Sequence, residues 1–195
     1  MKMDLTKKLL VNLSIGASVL TGSVIAEDNS GFYATGSFGA NKINDIDYLN
    51  FGTNKMTFDT GLGYDLGLGY DFGSTRIEAT WIKGESDGGL DRGVAFTTNS
   101  SIESIHASAF YDFRSSKQWS PFVGLSLGST KVEHKGFSDT GFSYGLALGV
   151  SYKTSDTTEV FFKSTGIITP ELDSGGWAIK EGSYANGTIG VRFLF

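Results

Sequence analysis

The side chains able to do chemistry are sparse, because the 195 residues hold two histidines and no cysteine. His106 and Ser108 are two apart, so on an extended strand they share a face, and an imidazole there could take the serine proton if a carboxylate oriented it. That face also carries Ser104, Phe110 and Asp112, and a hydrogen-bond network is the simpler use of the pair. His106 and His134 are far apart and have no paired ligand spacing, so no metal site is expected. Glu85, Asp87 and Asp91 could touch a divalent cation, but they do not follow a calcium-loop pattern and read as a solvated loop. Gly61-Leu62-Gly63 lacks the third glycine and the following helix of a dinucleotide fingerprint. No catalytic residue, metal or cofactor is expected.

The elements that would position these groups alternate with period two. The clearest runs from Thr57 to Tyr70, with Phe58, Leu62, Tyr64, Leu66, Leu68 and Tyr70 on one face and Asp59, Gly61, Gly63, Asp65, Gly67 and Gly69 on the other. A face so rich in glycine and aspartate does not suit a soluble core. Seven more segments follow the same rule: about Gly31 to Lys42, Ser74 to Lys83, Ser101 to Phe113, Pro121 to Val132, Gly141 to Lys153, Thr158 to Ile168 and Ala185 to Phe195. In the last, Ile189, Val191, Phe193 and Phe195 oppose Asn186, Thr188 and Arg192, an apolar face against a polar one that suits a membrane barrel with a polar interior. Twenty-seven glycines and two prolines also favour strands and turns. The expected fold is all-β, an eight-stranded antiparallel up-and-down transmembrane β-barrel.

Alternation turns Arg76, Glu78, His106, Glu159, Lys163 and Arg192 inward. An eight-stranded barrel is only wide enough for side chains to fill it, so these groups should form a paired polar network that plugs the lumen. Aromatic residues gather where strands meet the shorter gaps, at Tyr70, Tyr111, Phe113, Tyr152, Phe193 and Phe195, as an interfacial girdle requires. The longer gaps, Ile43 to Met56, Gly84 to Ser100, Glu133 to Thr140 and Thr169 to Gly182, are expected to be external loops. Asp87, Asp91, Arg92, Phe96, Trp177 and Lys180 are their candidate contact residues.

At the amino terminus Lys2, Lys7 and Lys8 precede an apolar stretch that ends in Val24-Ile25-Ala26, the pattern of a signal peptide over 1–26, with one barrel domain over 27–195. Its removal would take three of 16 basic and one of 21 acidic residues, leaving 13 and 20, a net charge of −7. Such a chain is a poor partner for nucleic acid.

Gly31-Phe32-Tyr33-Ala34-Thr35-Gly36, Gly61-Leu62-Gly63-Tyr64-Asp65-Leu66, Tyr111-Asp112-Phe113, Ser120-Pro121-Phe122-Val123-Gly124-Leu125 and the terminal Val191-Arg192-Phe193-Leu194-Phe195 together resemble the small outer-membrane barrel superfamily of the OmpA transmembrane domain, OmpX and opacity-type proteins. The resemblance implies Sec-type export to the outer membrane of a Gram-negative-type bacterium. It also implies contact with outer-membrane lipid and lipopolysaccharide, and recognition of the carboxy-terminal strand by the barrel-assembly machinery. A structural or surface-interaction role is expected, with specificity in the extracellular loops and a cell-surface partner there, adhesion being one form. The alternatives are a narrow channel, a soluble exported lipocalin-like ligand-binding barrel, and a lipid A-modifying enzyme. Lipid A deacylases resemble this chain in setting His and Ser two apart on a barrel strand. Here, however, both residues turn to the lumen and no suitable glutamate follows, so an enzyme is not expected.

Overall fold

The computed structural model describes residues 30–43, 46–47, 55–86, 88–91, 94–96, 100–114, 116, 118–134, 137–174 and 177–195. The expected leader, 1–26, lies outside the described residues. Among the described residues twelve strands follow one another: β1 (Gly31–Ile43), β2 (Ile46–Asp47), β3 (Lys55–Phe58), β4 (Thr60–Asp71), β5 (Thr75–Ser86), β6 (Gly89–Asp91), β7 (Val94–Phe96), β8 (Ser100–Asp112), β9 (Trp119–His134), β10 (Phe137–Lys153), β11 (Thr158–Ser174) and β12 (Trp177–Leu194). Eight of them close a barrel in the order β1-β12-β11-β10-β9-β8-β5-β4, every neighbour antiparallel. Closure removes both sheet edges, so each ladder hydrogen bond is made within the wall.

Period two sorts the side chains. Outward positions are bulky and apolar, with Leu62 73 % exposed and Leu66, Leu68, Ile105, Leu127, Phe142 and Leu148 also exposed. Inward positions are polar or small: Ser37, Asp65, Thr80, Ser104, His106 and Thr188 are all buried. The glycines between them make room, since a Cβ on Gly124 would lie 2.3 Å from the Phe110 ring.

At one end the strands meet in tight turns. Gly73 adopts φ 101°, a left-handed conformation that L side chains rarely take, and its N–H donates to Asp71 Oδ1 at 2.7 Å. Both ends of the barrel domain lie here, where Phe195 N donates to Phe32 O at 2.9 Å.

The other end departs from the sequence expectation in three ways. The gap expected over Glu133 to Thr140 is mostly strand, because β9 runs to His134 and β10 starts at Phe137. The gap expected over Thr169 to Gly182 is likewise a hairpin, in which β11 pairs with β12 from Thr169–Gly182 up to Ser174–Trp177. These segments stand above the apolar wall, so they pair as strands without the apolar alternation that would have marked them. Finally, Phe58 does not face outward with Leu62. It is 4 % exposed and ends β3, which Asp59 separates from β4. β3 belongs to a small second sheet, β2-β3-β6-β7, that joins the loop after β1 to the loop after β5.

Candidate functional site

The lumen is stacked in three layers between the turn end and the loop end. In the layer nearest the turns, Arg76 lies at the start of β5 and Asp112 at the end of β8, so the β5–β8 register brings them together. Arg76 Nε donates to Asp112 Oδ2 at 2.6 Å and a terminal nitrogen donates to Oδ1 at 3.0 Å, a bidentate pair with both partners buried. The guanidinium rests 4.7 Å from the centre of the Phe110 ring and 5.3 Å from that of Phe122. Phe110 and Phe122 pack with Ala147 and Phe161 in one buried apolar cluster. Arg192 bonds Glu159 across the β11–β12 register and lies 5.3 Å from the Tyr33 ring centre. At the rim Arg114 pairs with Asp71 at 3.5 Å and donates to Gly73 O.

The middle layer is polar. Lys163 Nζ meets Asp65 Oδ2 at 2.8 Å, and Ser37 Oγ donates to the same oxygen at 2.9 Å. Glu78 accepts the Thr80 hydroxyl at 2.8 Å. His106 has Ser126 Oγ at 2.9 Å on Nδ1 and Ser143 Oγ at 2.8 Å on Nε2, so both ring nitrogens meet hydroxyls other than that of Ser108. From Ser143 the chain of hydroxyls continues to Thr130 at 2.8 Å and Ser104 at 2.7 Å.

The layer nearest the loops is apolar: Ile43, Phe58, Ile82, Ile102, Ile167 and Tyr184, with Val132 packed against them. Five of the six come from barrel strands, and Phe58 comes down from the second sheet. Its position is held by backbone contacts, because Lys42 Nζ donates to Phe58 O, Asp59 N to Gly88 O at 3.0 Å and Ser86 Oγ to Asp59 O at 2.7 Å.

The sequence did not single out Asp65, Asp112 or this apolar layer. The two aspartates stand on the inward side of the alternation, but their partners follow only from strand register and barrel closure. Phe58 is hidden by the break at Asp59, which resets the parity that the run from Thr57 to Tyr70 suggests.

On the outside, ring pairs stand at the turn end: Phe32 with Tyr70 at 5.0 Å, Tyr70 with Phe72 at 4.6 Å, Tyr111 with Phe113 at 5.0 Å and Trp119 with Tyr152 at 4.7 Å. Phe193 and Phe195 are exposed at the same end. Above the apolar wall toward the loops, Trp81 Nε1 donates to Glu103 at 2.7 Å, and Lys83 pairs with Glu85 and Lys131 with Glu133. The hydrogen bond from Lys131 holds the Glu133 carboxyl below the usual carboxylate range. Of the candidate loop contacts, Asp87 and Arg92 lie outside the described residues. Asp91, Phe96, Trp177 and Lys180 have their backbones in β6, β7 and β12, and their side chains lie outside the described residues. Among the described residues no group of three or more histidines and carboxylates is placed to hold a metal ion.

Residues 9–193 match the family described as the outer membrane protein beta-barrel domain. The chain belongs to that family. This outer-membrane barrel has no match among curated proteins. Similar solved structures include Neisserial surface protein A, with TM-score 0.62 and 20% identity over 86% of this chain and 100% of that one. Looser likenesses are Ail, the attachment invasion locus protein of Yersinia pestis, solved with the heparin analogue sucrose octasulfate (TM-score 0.43, 14% identity, 84% of this chain and 99% of that chain), and the outer-membrane protease OmpT of Escherichia coli (TM-score 0.46, 11% identity, 89% and 100%). The Neisserial likeness shows a shared fold. The outer-membrane barrel is therefore an integral protein of the outer membrane.

Proposed function

We propose that this barrel has a structural or surface-interaction role in the outer membrane, with a lumen that does not conduct and specificity carried by the loop end. The observation that carries the reading is the second sheet. By pairing Met56–Asp91 and Phe58–Gly89, it ties two loops into one scaffold above the wall, and binding residues are usually borne by loops on a rigid framework. Asp87, Asp91, Arg92 and Phe96 belong to one of these loops, and Trp177 and Lys180 to the neighbouring hairpin. The loop end faces outward because such barrels have short periplasmic turns and longer external connections. The closed lumen is supported by its pairs, Arg76–Asp112, Asp65–Lys163 and Arg192–Glu159, beneath the apolar layer that contains Phe58. Lipid and lipopolysaccharide would surround the apolar wall, the barrel-assembly machinery would take the β12 strand, and a cell-surface partner would meet the loops.

The cysteine-free chain permits a direct test. Single cysteines at Ser138, exposed near the loop-end tip of β10, and at Asp156, exposed in the turn between β10 and β11, would be treated with a membrane-impermeant maleimide. Ser138→Cys should label in intact cells, and Asp156→Cys only after permeabilisation. The reverse pattern would overturn the orientation and with it the loop-borne specificity. Steady openings of the wild type in a planar bilayer would overturn the closed lumen.

A further inference from the structure

Charges of both signs gather on one flank of the outer face. Past the apolar belt toward the loops, β5 turns Lys83 and Glu85 outward, β8 turns out Glu103 and Ser101, and β9 turns out Lys131 and Glu133. Register sets them in two rows. Lys83, Glu103 and Lys131 are direct cross-strand neighbours, and so are Glu85, Ser101 and Glu133 in the row above. The row nearer the wall therefore reads plus, minus, plus. It is bounded on both sides by uncharged residues, with Tyr64 of β4 opposite Lys83 and Thr140 of β10 opposite Lys131. Along each strand the row above steadies the lysines: Lys83 Nζ meets Glu85 at 2.8 Å and Lys131 Nζ meets Glu133 at 2.7 Å, and all four side chains reach solvent.

The rings beneath fix the depth of this row. Glu103, between the two lysines, accepts Trp81 Nε1 at 2.7 Å, and the indole stands edge to face with Tyr64 at 5.6 Å. A tryptophan with its ring on an apolar wall and its N–H on a charged group marks a membrane–water interface, so the row lies at the level of lipid headgroups. Directly below, the wall dips: one register row runs Leu68, Ala79, Ala107, Leu127, two alanines between two exposed leucines. The dip continues the flank into the apolar belt.

We propose that this flank binds one diphosphorylated lipid of the outer leaflet together with its divalent cation, the phosphates on Lys83 and Lys131, the cation on Glu103 and an acyl chain in the dip below. The ligand follows from the order of the signs. A bare anion would meet three carboxylates against two ammoniums, and a bare cation would meet both lysines. Among the described residues no three carboxylates or histidines are placed to hold a metal by themselves. The complement of plus, minus, plus is minus, plus, minus, which two phosphates with a divalent cation between them supply. Magnesium in particular is commonly held by one or two carboxylates plus phosphates. The lysines stand two strand spacings apart, about 10 Å, and their long stems can lean inward over a headgroup between them. The proposal rests on the reading that the loop end faces outward amid lipopolysaccharide, and it narrows that general contact to one site.

Native mass spectrometry of the refolded barrel, released from detergent micelles, would count bound lipid. With diphosphoryl lipid A and magnesium, a one-lipid adduct should dominate. EDTA should lower its occupancy several-fold, and dephosphorylated lipid A with the same acyl chains should be retained several-fold less. Replacing both lysines, Lys83→Gln with Lys131→Gln, should bring diphosphoryl lipid A down to the dephosphorylated level, and Glu103→Gln should abolish the dependence on magnesium. Equal retention of the two lipids, or a magnesium dependence that survives Glu103→Gln, overturns the proposal. Displacement of the lipid by millimolar inorganic phosphate would assign the lysines to free phosphate and overturn it too. If a variant loses the heat-modifiable gel migration of a folded barrel, the wild-type comparison of the two lipids with and without EDTA decides by the same criteria. A wild type that retains neither lipid, although Ser138→Cys labels in intact cells, overturns this site and leaves the outward orientation standing.

Discussion

Arg76 shows what one residue needs from the rest of the barrel. Removing Asp112 would take the bidentate partner from a buried guanidinium packed against Phe110 and Phe122, and breaking one side of such a pair costs about 3–5 kcal/mol. Asp112→Ala should therefore lower the midpoint of urea unfolding in detergent micelles far more than Glu159→Ala, whose carboxylate is 20 % exposed. Replacing both members, as Arg76→Met with Asp112→Leu, should recover most of the loss, because an apolar pair of similar size removes the unpaired charge. Phe58→Ala should cost roughly 3 kcal/mol by emptying part of the apolar layer, and a thermal melt of the refolded barrel would show it. Alternation assigns Arg76 a face but no partner, since the choice of Asp112 depends on the β5–β8 register. Phe58 is harder to read, because one unpaired residue, Asp59, reverses its side.

Element boundaries were readable wherever an apolar wall met a polar lumen, and unreadable above it. β4, β8 and the wall portion of β12 alternate sharply because lipid and lumen impose opposite chemistry on successive residues. The upper parts of β10, β11 and β12 meet no lipid, so nothing in their composition marked them as strands. The same division predicts where the chain tolerates cutting. β10 and β11 stop pairing above Tyr144–Ile168, and beyond that point β11 pairs with β12. Replacing 171–180 with a short turn should leave insertion and heat-modifiable migration unchanged, while the same treatment of the Asp71 to Thr75 turn, with its left-handed Gly73, should abolish folding.

For the whole molecule, the lipid-facing wall is a continuous apolar surface set against a polar interior. Leu66→Lys, an exposed wall position on β4, should destabilise the inserted barrel by about 2–4 kcal/mol if it lies near the bilayer midplane. Unfolding in lipid vesicles would measure this, and the same lysine at exposed Thr60, beyond the wall, should have no measurable effect. The eight-stranded closed architecture was legible from the sequence because every strand repeats one rule. The second sheet was not, since its strands of two to four residues are too short to show a period. The wall is sealed by its earliest and latest strands, β1 hydrogen-bonded to β12 from Tyr33–Leu194 to Ile43–Tyr184. A ribosome releases these two partners at opposite ends of synthesis, so no nascent fragment can close the wall. Every truncated copy therefore carries the same feature, a pair of open strand edges that the closed wall does not have.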